Sequence, residues 1–520
     1  MIYHLLVNLP TSLPGIERAA ITRHQLIKKN YPSKLVTVSY NRNLFATAQQ
    51  YQLTPADYLN LHDYFQQATE PLAFEPVKKE ELFPKSDYEL VVVPNTREQD
   101  YRVFRGKKLV AYIHTEQPSG RLVYINYFDK NIDKRERHLY DCRGFLSAIQ
   151  YLDEHQREMF EKFLTPSGQT VIEKTYSLKS SERELTQVKV YTKRRPLFFE
   201  SEADFMTYFF DQVLTEEDVT ITDRNRFINP IILNCQTPFK KIGVLHSTHY
   251  QGDDPANELK SHYRVLLNER ERFSTIICST RQQRKDVIAR FSNDGQVKSI
   301  PVAFRKEVPP NQLSFTDDQP IKIAMIARYS PEKRLDQGIK AFANISAKYP
   351  NAQLHLYGFG SAKNQQALEA VIAEAGVTDK VFLRGYLTDL DQELQSVHLK
   401  LLTSHEEGFC IGVLDALAHG IPVLSYDINY GPSEMITSGK NGYLVEDGQI
   451  DQLSERLDHV LSDPELYQQL SKAAYQMAAE FSAEQVQAKW RAVFESLSVT
   501  PKVKTSPRIS LRKRLSLFRR

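Results

Sequence analysis

At 520 residues the chain is too long for a single hydrophobic core, so two or three domains are expected. Its 41% hydrophobic and 25% charged residues describe an ordinary globular protein, and no apolar run approaches the length of a membrane span. The net charge of +3 is concentrated: residues 501–520 carry eight Lys or Arg and no acid, which leaves the rest net acidic and argues against a nucleic-acid surface. Cys142, Cys235, Cys278 and Cys410 form no Cys-x-x-Cys spacing, which points to reduced thiols and away from a zinc site. The first seven residues lack the basic start and the length of a signal peptide.

In chain order, residues 3–7 predict a strand, 16–29 a helix and 33–38 a second strand, the start of an α/β unit. Gly15, ahead of that helix, fits a turn that needs positive φ or lets a ligand approach the backbone, and equally a plain turn glycine. Between about 75 and 200 the pattern changes to short alternating runs (88–93, 108–114, 122–128, 170–176 and 187–191), a meander of antiparallel strands. The α/β pattern resumes near Phe198, with a helix over 203–214 and strands over 218–222 and 241–245. The last strand runs into His246-Ser247-Thr248-His249, which puts both histidines at the ligand end of a parallel sheet. A strand at 275–278, a helix at 282–291 and a linker at Glu307-Val308-Pro309-Pro310 close this half.

A second α/β domain starts at Ile321. Its first strand, 322–326, leads into a loop where Arg328 and Lys333 are placed to stabilise a diphosphate together. Further strands end at Gly358-Phe359-Gly360 and at Gly385-Tyr386; a Gly-x-Gly without a third glycine is a weak nucleotide signal. Residues 398–445 read as strand, loop, helix, strand, loop, strand. There Glu407 lies in the loop and Asp415 about two turns into the helix, both on the ligand side, while the amides of Phe409, Cys410 and Ile411 open the helix toward a diphosphate. Helices fill 450–497, and Ser482 with Gln485 forms a capping box ahead of the last one. The tail 508–520 mixes aliphatic and basic residues, a pattern that suits either an anionic membrane face or a solvated chain.

The string E-G-F-x5-D-A-x-A-x-G-x-P-V from Glu407, with R-x4-K-R-x-D from Arg328, resembles the donor-binding signature of the retaining GT-B glycosyltransferases of family four. The block 425–433, with Asn441-Gly442-Tyr443-Leu444-Val445 and the early Gly15-Ile16-Glu17, is similar to one group within it. That group comprises poly(glycerol-phosphate) α-glucosyltransferases of wall teichoic acid and relatives that put N-acetylglucosamine on serine-rich surface proteins. The resemblance implies an α/β, GT-B architecture of two Rossmann-like domains facing a cleft. Residues 1–75 and 198–312 would form the acceptor-side domain, 76–197 a strand-rich insertion, 313–498 the nucleotide-sugar domain and 499–520 a basic tail. It implies catalytic roles for Glu407, Arg328, Lys333 and His249, and donor binding by Gly15, His246, Gly358, Gly385, Tyr386, Phe409, Cys410, Ile411 and Asp415. Glu407 would hold the sugar hydroxyls, Asp415 those of the ribose, and Gly358 and Gly385-Tyr386 the uracil.

UDP-glucose or UDP-N-acetylglucosamine would be the donor substrate, with no metal and no other cofactor. The acceptor would be teichoic acid or a Ser/Thr-rich protein, and the setting cytoplasmic, with contact to the inner membrane face through the tail. The insertion would serve a homo-oligomer, a paired subunit or the acceptor. Two departures stand out: Asp415 where most members have Glu, and Cys410 where glycine is common. They keep open a third reading, a non-catalytic partner subunit.

Overall fold

The computed structural model describes residues 1–12, 14–70, 76–94, 96, 99–177, 183–292, 294–315, 319–387 and 389–501. The basic tail expected over 499–520 lies outside these residues from 502 onward. No helix among the described residues is long and apolar enough to cross a membrane.

The first domain is a seven-stranded parallel sheet that begins with the strand Ile2–Leu6 at its centre. On one side of it lie Ser33–Thr37 and Tyr58–Asn60; on the other lie Val219–Thr222, Lys240–Val244, Thr275–Cys278 and Val297–Ser299. Ile2, Leu5 and Leu6 are wholly buried, the pattern of a strand covered on both faces. The helix Gly15–Ile27 follows this strand and begins beside the sheet's carboxyl edge.

Between Glu89 and Phe199 ten antiparallel strands follow one another in simple sequential order. Five of them, Asp100–Arg105, Lys134–Tyr140, Leu146–Leu152, Glu158–Leu164 and Leu197–Phe199, have no counterpart in the sequence reading. Charged residues interrupt the alternation in some of them, as in Lys134-Arg135-Glu136-Arg137-His138, whereas Leu197–Phe199 is only three residues long. The insertion is not a separate body. Phe163, Ile172, Val188 and Val190 share one apolar cluster with Tyr3, Leu5, Phe205 and Phe209.

The second domain is a six-stranded parallel sheet, with Ile321–Ile326 and Leu399–Leu402 paired at its centre. Alternate strand residues feed two apolar clusters: Ile323, Met325 and Leu401 pack with Phe342 and Leu457, while Ala324 and Leu402 pack with Val413 and Leu417. With helices on both faces, that sheet has no room for the last helix, Ala483–Ser496. The sequence reading kept it within 313–498, and the structure corrects this. Ser482 caps the helix, its Oγ accepting from the Gln485 amide at 3.3 Å, and Val486, Trp490, Val493 and Phe494 pack against Ile2, Ile27 and Ile221 of the first domain. Gln487 Nε2 and Lys240 Nζ secure the crossing through the carbonyls of Leu26 and Leu497, at 3.0 and 2.6 Å.

Candidate functional site

The carboxyl ends of the two parallel sheets face each other, and the loop 403–410 of the second domain reaches the first. Gly408 marks the contact: a Cβ there would stand 1.9 Å from the His246 carbonyl oxygen. Only a glycine lets the two backbones meet so closely. Neighbouring side chains seal the seam. Glu406 ion-pairs with Lys260 and accepts from Thr248 Oγ1 at 2.5 Å; Tyr430 donates to Asp286 at 2.6 Å; Asn429 donates to Tyr250 at 2.8 Å; and Arg281 meets Glu434 at 2.9 Å. Burial raises the Glu406 carboxyl, but Lys260 and Thr248 outweigh it and hold it below the usual range.

Glu407 and Lys333, from different loops, form a half-buried ion pair at 2.6 Å. Ser404 Oγ donates to the same Glu407 oxygen at 2.8 Å, and the Glu407 backbone is clamped both ways: its amide donates to Asn429 and its carbonyl accepts from Tyr430. Arg334, the residue after Lys333, ties the two loops together, its Nε and Nη2 donating to the carbonyls of Thr403 and Ser404 at 2.9 Å each. Ser404 and Arg334 were missed as site-forming residues, although Arg334 stands inside the quoted R-x4-K-R-x-D phrase. Arg328 is placed differently from Lys333. It is exposed and pairs with Glu332 at 2.9 Å, a guanidinium on the rim.

The helix Ile411–Ala418 begins directly after this loop. Its cap residue, Cys410, has φ +65°, the left-handed conformation that explains why a glycine would suit the position. The Cys410 thiol is buried against the Tyr430 carbonyl at 3.5 Å, and burial pushes its pKa well up, so it is an inert packing group. Phe409 is buried on Phe481. With Ile411, these residues contribute backbone amides rather than reactive side chains. Asp415 is the fifth residue of the helix, so it lies little more than one turn in, not two. It is buried, and Arg18 of the first domain reaches it across the cleft at 3.6 Å. Arg18 stands in the first turn of the helix that Gly15 opens, and nothing lies within 4 Å of where a Gly15 side chain would be. Gly15 therefore fronts open space opposite Asp415.

The two histidines separate. His246 Nε2 lies 2.7 Å from Asp223, which Arg23 grips with both guanidinium nitrogens at 3.0 and 2.5 Å. Burial works against the Asp223 charge, but Arg23 and His246 hold that carboxyl well below the usual range. The structure thus places His246 at the junction with the donor-side loop, its ring oriented by a buried carboxylate. His249, ranked above it in the sequence reading, is wholly buried. It stacks on Tyr430 and meets Tyr250 edge-on, and neither ring nitrogen has a hydrogen-bond partner among the described residues. Burial first, then the charges of Arg290 and Lys260, depress its pKa to about 4. The turn after Lys240–Val244 sends residue 246 to the cleft and residue 249 into the domain seam, so a sugar-facing role for His249 is corrected to a packing one.

Gly358 also has a backbone role. A Cβ on it would lie 1.8 Å from the Ala327 carbonyl, so the glycine is needed for two loops to touch. Gly385 has φ +74° with open space beside it, and Tyr386 and Phe359, each 52% exposed, meet edge to face at 5.7 Å. That exposed aromatic pair is a platform on which a planar base can stack.

Comparison with known proteins fits this geometry. Residues 311–477 match the family model "Glycosyl transferases group 1", and residues 21–237 match that of a protein of the accessory Sec system. A poly(glycerol-phosphate) alpha-glucosyltransferase of Bacillus subtilis is 25% identical over 69% of this chain, which thereby spans only about half of that relative (54%). The GtfA subunit of a UDP-N-acetylglucosamine–peptide N-acetylglucosaminyltransferase from Streptococcus gordonii is 27% identical, covering 58% of this chain and 62% of the relative. Among solved structures, a TarM variant from S. aureus in complex with UDP and α-GlcNAc-glycerol superposes with TM-score 0.79 at 20% identity, covering 95% of this chain and 99% of that one. The pneumococcal O-GlcNAc transferase GtfA, in complex with UDP and GlcNAc, does so with TM-score 0.79 at 18% identity, over 96% and 99%.

Proposed function

We propose, for a chain with the GT-B fold whose C-terminal domain belongs to the group 1 glycosyl transferases, that it moves a hexose from a UDP-sugar to a hydroxyl of a polymeric acceptor with retention of configuration. The observation that carries this reading is the Glu407–Lys333 pair at the mouth of the helix Ile411–Ala418, sealed against His246 by Gly408. In the reading, the diphosphate of the donor draws Lys333 away from Glu407. The freed carboxylate accepts hydrogen bonds from sugar hydroxyls, and the ammonium offsets the charge that grows on the leaving diphosphate. Arg328 swings from Glu332 to the same phosphates. The amides at 409 to 411, where the helix opens, add their partial positive charge. The base stacks at Phe359 and Tyr386, and Asp415 takes the ribose. The acceptor hydroxyl enters on the face the leaving group vacates and passes its proton to the departing phosphate oxygen. The positive groups come from side chains and amides, so the reading includes no metal and no cofactor beyond the donor substrate.

For the acceptor we place poly(glycerol-phosphate) first, on the Bacillus relative. A Ser/Thr-rich protein is the second reading, favoured by the GtfA relatives and by the accessory Sec match over residues 21–237, which takes in the whole inserted sheet and suits a paired subunit. In both readings the enzyme works in the cytoplasm. UDP release is the test, from UDP-glucose and UDP-N-acetylglucosamine, each with poly(glycerol-phosphate) or a serine-rich peptide. Acceptor-dependent turnover in one arm identifies donor and acceptor together. Silence in all four, from folded protein, rejects the enzyme and leaves a partner subunit.

A further inference from the structure

One charged group at this site has no part in the reading above. Lys400 sits on the strand Leu399–Leu402, a central position in a sheet covered on both faces, where apolar residues belong. It is 1% exposed, and a lysine drawn this deep into the fold carries a heavy desolvation cost unless something offsets it. Its Nζ makes no hydrogen bond or ion pair with another described residue. Burial draws its pKa down to about 8; the nearby Asp415 and Glu407 carboxylates work against this and Lys333 adds to it, all three being residues of the proposed donor site.

Its place is set by a glycine. A Cβ added to Gly412 would stand 2.6 Å from Lys400 Nζ, so the bare Cα of Gly412 is what gives the ammonium room in the first turn of the helix Ile411–Ala418. Asp415, three residues on, shares that helical face. A buried cation without a partner thus stands at a helix N-terminus whose first amides also lack intrahelical acceptors. Two independent sources of positive charge converge on one spot, and each is incomplete without an anion.

We propose that Lys400 is a phosphate-binding residue for the donor, its ammonium completing the anion site at the start of Ile411–Ala418 from beneath while Lys333 and Arg328 close it from the facing loop. The proposal rests on the UDP-sugar reading.

The test compares wild-type protein with Lys400→Met and Gly412→Ala, using UDP by calorimetry and uridine by ligand-observed NMR, with thermal melting of the unliganded proteins. We expect Lys400→Met to weaken UDP binding about ten- to hundredfold while uridine binding is unchanged. Unliganded melting should hold or rise, because a buried charge is removed. Gly412→Ala, whose methyl displaces the ammonium, should weaken UDP in the same sense. Equal loss of UDP and uridine in Lys400→Met would overturn the proposal in favour of a structural counter-ion for Asp415. Unchanged UDP binding in that variant would overturn it alone, whereas wild-type protein that binds no UDP would remove the donor reading and the proposal with it.

Discussion

Two residues separate binding from chemistry. In the proposed reading Glu407 serves the sugar and Lys333 the diphosphate, although they pair with one another at 2.6 Å. Glu407→Gln keeps the shape and loses the charge, so turnover should fall on the order of a hundredfold or more while UDP affinity changes little. Comparable loss in UDP affinity would place the carboxylate elsewhere. His249 gives a second prediction. Its pKa is about 4 in the folded chain against an ordinary 6.5, so between these values the unfolded chain takes up a proton that the folded chain refuses. Stability therefore falls as the pH drops from 6.5 to 4, by up to about 3 kcal/mol from this residue. Melting of wild-type protein relative to His249→Phe should decline across that window. A constant difference would show that the ring is hydrated.

Among elements, the helix Ile411–Ala418 is where sequence and structure agree in substance and differ in detail. Its location and its start directly after the Glu407-Gly408-Phe409 string followed from the sequence pattern. The left-handed cap at Cys410 and the contact of Gly408 with His246 did not, because each depends on backbone supplied by a distant segment. The sequence reading set His249 slightly above His246, and it went astray for the same reason: three residues apart in a loop, they differ in which way the turn sends them. Lys400 drew no reading from the sequence, because its surroundings depend on Gly412, which the fold brings beside it. Cys410 offers a test of the cap. A β-branched side chain is poorly tolerated at φ +65°, so Cys410→Val should destabilise by about 2 kcal/mol or more, whereas Cys410→Gly should melt near wild type. A Val variant that melts with wild type would mean the cap is not left-handed in solution.

At the scale of the molecule, the two domains are held by the seam at Gly408, by the ion pair of Glu406 with Lys260, and by a final helix that returns to the first domain. That return was invisible in sequence, since the helix Ala483–Ser496 presents an apolar stripe suited to either sheet. Trp490, the only tryptophan in the chain, is buried in it, with Arg23 5.5 Å from its ring. Trp490→Ala should cost about 3–5 kcal/mol, as large core truncations do, and wild-type tryptophan fluorescence should report unfolding of the first domain rather than the second. A fluorescence transition that follows the second domain's unfolding would put the helix back where the sequence suggested.

The central claim is retaining transfer between these two domains, and the configuration of the product tests it most directly. With the donor and acceptor pair that turns over, proton NMR of the isolated product should show an α-linked hexose from the α-configured UDP-sugar. A β-linked product would contradict the account.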